Sequence, residues 1–91
     1  MTLTQLQYVV AIAETKSMNK AAAALFVSQP ALSGAIKDLE EELQTELFIR
    51  TNKGIVITTE GQEFLSYARQ MVELGNLVEE RFVNKTIAKK K

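Results

Sequence analysis

Gln29, Ser33 and Lys37 stand four residues apart, and each can exchange a hydrogen bond or a charge with a ligand. At helical spacing they share one edge. Leu32, Ile36, Leu39 and Leu43 step by four, three and four, which places them together on the other side. Ser28 is suited to cap such a helix, because its hydroxyl can accept from an N–H that has no partner in the first turn. Pro30 then falls in that first turn, where a missing N–H costs nothing. Ser33 and Gly34 are small, and no carboxylate appears on the outward side before Asp38. A helix over 28–43, buried along one side and with a small polar N-terminal half facing out, has what reading a nucleic-acid groove requires.

Four further residues are placed to meet phosphate. Asn19 and Lys20 open a short helix that Ser17 can cap, so free N–H groups and a lysine lie together. A solvated helix end is the alternative for that pair. Arg50 and Lys53 belong to the stretch 47–58, where two β-rich runs, 47–51 and 55–58, flank Asn52, Lys53 and Gly54. Gly54 can take the positive φ of a tight turn, so the stretch reads as a hairpin. Its two cations can reach a minor groove or a backbone phosphate. The alternative is a pair of solvated charges that keep an edge hairpin from aggregating.

The elements that must position these groups can be taken in order. Thr2 and Gln5 fit a capping box, and Leu6, Val9, Val10 and Ala13 share a face, giving a first helix over about 4–15. A second, alanine-rich helix over 18–26 lets another backbone approach at Ala21, Ala22 and Ala24, while Leu25 and Phe26 supply bulk. Only Phe26 and Val27 separate it from Ser28, and two helices so tightly joined form a helix-turn-helix. The hairpin after it is then a wing. Thr58 or Thr59 caps a last, long helix, with Thr59 and Gln62 as a second capping box. Along that helix Phe64, Ala68, Met71, Gly75, Val78 and Phe82 step by four, three, four, three and four, a heptad seam with two small members. Leu65, Val72 and Leu74 widen its apolar face. So small a domain could hardly cover this stripe, so the seam is expected to pair with a second copy; burial within the chain is the alternative. Residues 1–58 thus read as a winged helix-turn-helix, and 59–91 as a linker helix with a frayed basic tail from Ile87 to Lys91. An end inside a charged tail is what a fragment of a longer protein would show.

Composition narrows the function. The 91 residues are 46% hydrophobic, with no cysteine and no histidine. One modest core is expected, without a disulfide framework or thiolate metal site and without the commonest general base. No metal and no cofactor are expected. No apolar run approaches the roughly 20 residues that span a bilayer, and the first residues lack the order of a signal peptide. A cytoplasmic protein without membrane contact is the expectation. The net charge of zero is segregated: residues 1–37 carry +2, 38–46 carry −5, 47–59 carry +2, 60–80 carry −4, and 81–91 carry +5. Phosphate binding depends on local cations more than on the total, so this arrangement is compatible with nucleic acid.

Five separated motifs now resemble one family. Ala21-Ala22-Ala23 with Leu25, Val27-Ser28-Gln29-Pro30-Ala31-Leu32-Ser33, Leu39-Glu40-Glu41-Glu42-Leu43, Leu47-Phe48-Ile49-Arg50, and Ile57-Thr58 followed by Gly61 resemble the N-terminal domain of LysR-type transcriptional regulators. The likeness runs from Leu3 to about Phe82. It implies a mostly α fold, three helices plus a hairpin wing, then a linker helix that makes a homodimer. It also implies a separate domain of periplasmic-binding-protein type, absent from this sequence, through which a small-molecule effector would act. The partner it implies is double-stranded DNA with inverted half-sites. Positions matching Gln29, Pro30, Ser33, Gly34 and Lys37 would read the major groove, Ser28 would join the DNA-binding set at the same helix end, and the wing would touch backbone or minor groove near Arg50, Lys53 and Thr58. Gly34 stands where the family usually has arginine or lysine, so a bidentate arginine–guanine contact is unavailable there. Base readout would rest on Gln29, which suits adenine, on Ser33, and on Lys37.

Two other function classes compete with sequence-specific duplex binding. A winged-helix protein–protein interaction module would use the acidic stretches 38–46 and 60–80 to hold a basic partner. Steep salt dependence of duplex affinity separates the two. An enzyme finds no support: Glu40, Glu41, Glu42 and Glu46 read as a solvated helix face, and no nucleophile–base pair or phosphate-cradling glycine loop is present.

Overall fold

A computed structural model describes residues 1–84. Along the chain run α1 (Leu3–Thr15), α2 (Met18–Leu25), α3 (Gln29–Leu43), β1 (Phe48–Thr51), β2 (Gly54–Ile57) and α4 (Thr59–Val78), which continues into a π-helical stretch, Glu79–Asn84. The basic segment expected to fray, from Ile87 to Lys91, lies outside the described residues.

Helix starts follow local chemistry. Thr2 and Gln5 form the capping box, and Ser17 and Ser28 accept from the amides of Lys20 and Ala31. Helix ends do not use glycine. Lys16, Phe26 and Gln44 each take the left-handed conformation, with φ of 54°, 58° and 53°. At Phe26 the amide donates to Ala23 O and that of Val27 to Ala22 O, a Schellman closure that turns the chain into Ser28 without the glycine usual at such a turn. The cost is that Phe26 points into solvent, 94% exposed. The expectation that Phe26 adds bulk to the interior is therefore corrected, and Ala24 is likewise exposed.

One core joins the elements. Leu6, Val9 and Ile12 of α1 meet Ala21 and Ala22 of α2, and Leu32, Ile36 and Leu39 of α3 close against them. Ile12 is fully buried, whereas Val10 is only half-buried. Burying a side chain such as Leu32 contributes about 1.5–3 kcal/mol. Leu47 and Ile55 carry the hairpin into the same core.

The hairpin pairs Phe48 with Ile57 and Thr51 with Gly54, leaving Asn52 and Lys53 as a two-residue loop. Gly54 has a φ of 126°, and a Cβ there would also meet Lys16 O at 3.0 Å. In this register the amides of Phe48 and Ile55 leave the hairpin on opposite outer edges. Ile55 N–H donates to Lys16 O at 3.1 Å, which fastens the β2 edge to the α1–α2 turn.

Thr58, and not Thr59, caps α4: its hydroxyl accepts from Gly61 N at 2.8 Å and donates to Glu46 O at 2.6 Å. Gly61 packs so tightly that a Cβ would lie 2.3 Å from Leu47 O. From there α4 lies along α1, burying Leu65 and Ala68, and Gly75 receives Leu3 across the contact. Arg69 adds an exposed ion pair with Glu14 at 3.3 Å. Among the described residues, no helix is long and apolar enough to cross a membrane.

Candidate nucleic-acid interface

The N-terminal half of α3 forms the centre of the surface. Leu32 and Ile36 anchor the helix by their burial, which turns Pro30, Gly34 and Lys37 outward and leaves Gln29 and Ser33 half-exposed beside them. Nothing lies within 4 Å of where a Gly34 Cβ would stand, so the reading edge has a gap at its middle. Ser28 caps this end, and the N–H groups of the first turn face the same way as the helix dipole's positive pole.

The other groups converge on this edge from two directions. Asn19, at the start of α2, lines one cleft together with Gln29, Arg50 and Thr51. Ser33, Lys37 and Arg50 share a second with Glu40 and Phe48. Arg50 joins the two, and its guanidinium donates to Ser33 Oγ. Lys53 sits exposed at the hairpin tip, its amide donating to Thr51 Oγ1 at 3.2 Å. Lys20 is exposed on the first turn of α2. Asn19, Gln29, Ser33, Lys37 and Arg50 are thus gathered around one surface, with Lys53 at the tip of the same hairpin.

Thr58 stands apart. Its hydroxyl accepts from Gly61 N and donates toward Glu46 O and Leu47 O, so it starts α4. Glu40 was not legible as anything but a solvated carboxylate. It accepts from the amides of Leu47 at 2.7 Å and Phe48 at 3.2 Å. No spacing signals such a tie, because its partners are backbone groups beyond a helix end. Glu41, Glu46 and Glu60 wall a further cleft between the C-terminal end of α3 and the start of α4, which Lys37 and Glu40 border on the side of the reading edge.

On α4 the expected seam divides. Ala68 is 1% exposed within the chain, and Gly75 faces Leu3. Both small residues admit α1, and Ala68 is buried by it within the chain, so the assignment of Ala68 to an inter-chain contact is corrected. Phe64 is half-buried beside Leu43, Leu47 and Tyr67. Tyr67, Met71, Leu74 and Val78 step by four, three and four along the exposed side, with Leu77 beside them and Phe82 exposed in the π-helical stretch.

Residues 3–62 match the family model described as a bacterial regulatory helix-turn-helix protein, lysR family. The chain belongs to the LysR family. Its residues form a LysR-type helix-turn-helix DNA-binding domain with the winged fold of that family. Among relatives, the uncharacterized HTH-type transcriptional regulator YxjO of Bacillus subtilis is 40% identical over 74 residues, 81% of this chain and 25% of that protein. The HTH-type transcriptional regulator BudR of Klebsiella aerogenes is 41% identical over 81 residues, 89% of this chain and 57% of that protein. The chain spans about a quarter of the length of several curated relatives it matches. Two solved complexes extend the likeness to structure. A CbnR DNA-binding domain bound to DNA superposes with a TM-score of 0.83 at 36% identity, covering 94% of this chain and 99% of that one. A BenM DNA-binding domain at its catB site 1 DNA gives 0.80 at 40% identity, covering 97% of each. These relatives are named as transcriptional regulators.

Proposed function

We propose that this LysR-type domain reads an inverted-repeat duplex site as a homodimer in the bacterial cytoplasm, α3 entering the major groove and the wing lying on the adjoining backbone or minor groove. The observation that carries this reading is the convergence of Gln29, Ser33 and Lys37 with Arg50 on one surface, where the carboxylate of Glu40 is held by the backbone amides of Leu47 and Phe48. Gln29 can take adenine N6 and N7 together, and Ser33 either a donor or an acceptor. Lys37 reaches toward the bases beside them, while Arg50, Lys53, Lys20 and Asn19 supply contacts that fix the register on the phosphates. Pro30 and Gly34 allow close approach at the groove floor. The exposed stripe of Tyr67, Met71, Leu74 and Val78, between 46% and 62% exposed, is the surface through which two copies pair.

Selection of bound sequences from a random duplex pool tests the reading, followed by titrations against salt. Affinity for the selected duplex should fall steeply as salt rises. Gln29→Ala should relax preference at one position per half-site, by about 1–3 kcal/mol, whereas Lys53→Ala should weaken all duplexes evenly and lower the salt slope by about 1. Equal losses on selected and scrambled duplexes for Gln29→Ala would remove Gln29 from base readout. The acidic cleft of Glu41, Glu46 and Glu60 favours the competing reading, a basic protein partner, and that reading gains if no duplex binds even at low salt.

A further inference from the structure

We infer that Glu40 is a positioning residue for duplex recognition, locking the wing to the recognition helix so that the two engage DNA as one rigid body; this rests on the duplex-binding reading. Two ties join α3 to β1 across the cleft between them. Glu40 Oε2 accepts from Leu47 N and Phe48 N, at 2.7 and 3.2 Å. Two turns nearer the N-terminus, Ser33 accepts from the guanidinium of Arg50. Seven helical residues separate Ser33 from Glu40, a rise of about 10.5 Å, and the strand from Phe48 to Arg50 rises about 7 Å. The strand therefore runs beside the helix and is held near both ends.

The Glu40 tie is the stronger constraint. Its partners are backbone amides, so it fixes the path of the strand, whereas Arg50 is a long side chain that a phosphate can draw away. A carboxylate accepting two N–H groups makes charge-assisted bonds, about twice as strong as neutral ones. The Phe48 amide also leaves the hairpin on its outer edge, where it would otherwise be an unpaired strand donor. With the β2 edge fastened to Lys16 O, the wing is held from both sides: by the α1–α2 turn at Ile55 and by the recognition helix at Phe48. Glu40 borders the cleft of Ser33, Lys37 and Arg50, but its carboxylate is bonded to the two backbone amides. It acts through Lys53 and Arg50, by setting where the wing stands when Gln29 and Ser33 are seated.

A double-mutant cycle tests this with the whole 91-residue chain and a duplex selected for tight binding. In the wild type, Lys53→Ala should cost roughly threefold or more in affinity. In Glu40→Ala the wing tip is no longer held over its phosphate, so Lys53→Ala should cost less than about half that factor. Glu40→Gln, which keeps one acceptor oxygen, should restore part of the wild-type cost and serves as the working variant should Glu40→Ala not fold. Val9→Ala, a core truncation in α1, lowers stability without touching the tie, and Lys53→Ala should cost it the wild-type factor. Hydrogen exchange of the Leu47 and Phe48 amides should accelerate in Glu40→Ala beyond the change seen in Val9→Ala. The inference is overturned if Lys53→Ala costs the same in the wild type and in both Glu40 variants, or if the two amides exchange as in Val9→Ala. Absence of duplex binding by the wild type is a separate outcome, which removes the DNA reading and this inference together while leaving the amide protection intact.

Discussion

Two glycines on helices of this domain should respond to alanine with opposite signs. Gly34 lies in the middle of α3, exposed, with no heavy atom within 4 Å of a built Cβ. Its φ is not positive, so alanine adopts the same backbone. The change then keeps every contact and removes the helix penalty of glycine, about 0.8–1.0 kcal/mol. For a domain of this size that gain corresponds to a rise in Tm of about 4–8 °C per kcal/mol. Gly61 is the contrast. A Cβ there would stand 2.3 Å from Leu47 O and 2.9 Å from Ile57 Cγ2. Leu47 O cannot retreat freely, because it accepts from Thr58 N at 3.0 Å. Overpacking against backbone costs about 1–3 kcal/mol or more, which outweighs the propensity gain. Gly61→Ala should therefore lower stability by at least about 1 kcal/mol net. Urea denaturation followed by circular dichroism, at one protein concentration so that dimerisation is held constant, reads both values. A Gly34→Ala variant no more stable than the wild type would refute the claim that this position is open, and would place something over it.

Further outcomes are expected. Gly34→Arg should fold, since the space is empty, and should add a guanine preference of about 1–3 kcal/mol at one position per half-site, read from selected sequences. Phe26→Asn should raise stability by about 1 kcal/mol, because asparagine tolerates the left-handed backbone that phenylalanine is strained to adopt. A drop in Tm would show that the exposed ring has a partner. Thr58→Ala should cost about 0.5–2 kcal/mol through loss of the α4 cap while duplex affinity of the folded fraction stays at the wild-type level. Leu74→Glu should shift the chain to monomer in sedimentation velocity at tens of micromolar, and an unchanged dimer would move the contact off this stripe.

How far each feature was legible depends on the distance over which it is decided. The caps at Thr2, Ser17 and Ser28 involve a side chain and an amide three residues on, so the local sequence contains both partners. The reading edge of α3 was legible for the same reason: burial of Leu32, Ile36 and Leu39 fixes the angle at which Gln29, Ser33 and Lys37 emerge. The hairpin followed from Gly54 and its β-rich flanks. Where two local options were equal, the tertiary structure chose. Thr58 and Thr59 were equivalent as caps until Gly61 had to pack on Leu47 O, which left Thr58 at the start of the helix. On α4 two apolar stripes lie side by side, and α1 took the one with Ala68 and Gly75, whose small size admits the closest approach. Periodicity gives the bearing of a side chain about its own helix, but not which neighbour fills that side. Glu40 shows the limit most sharply. Its partners are the amides of Leu47 and Phe48, seven and eight residues away past a helix end, and every residue type except proline offers an amide N–H, so no side-chain pattern could name them. The sequence by itself determined the elements, the caps at Thr2, Ser17 and Ser28 and the polar edge, because each is a matter of a few consecutive residues. Only the folded chain decided which apolar stripe stays exposed and how the wing is fastened, because both depend on backbone brought close from distant parts of the chain.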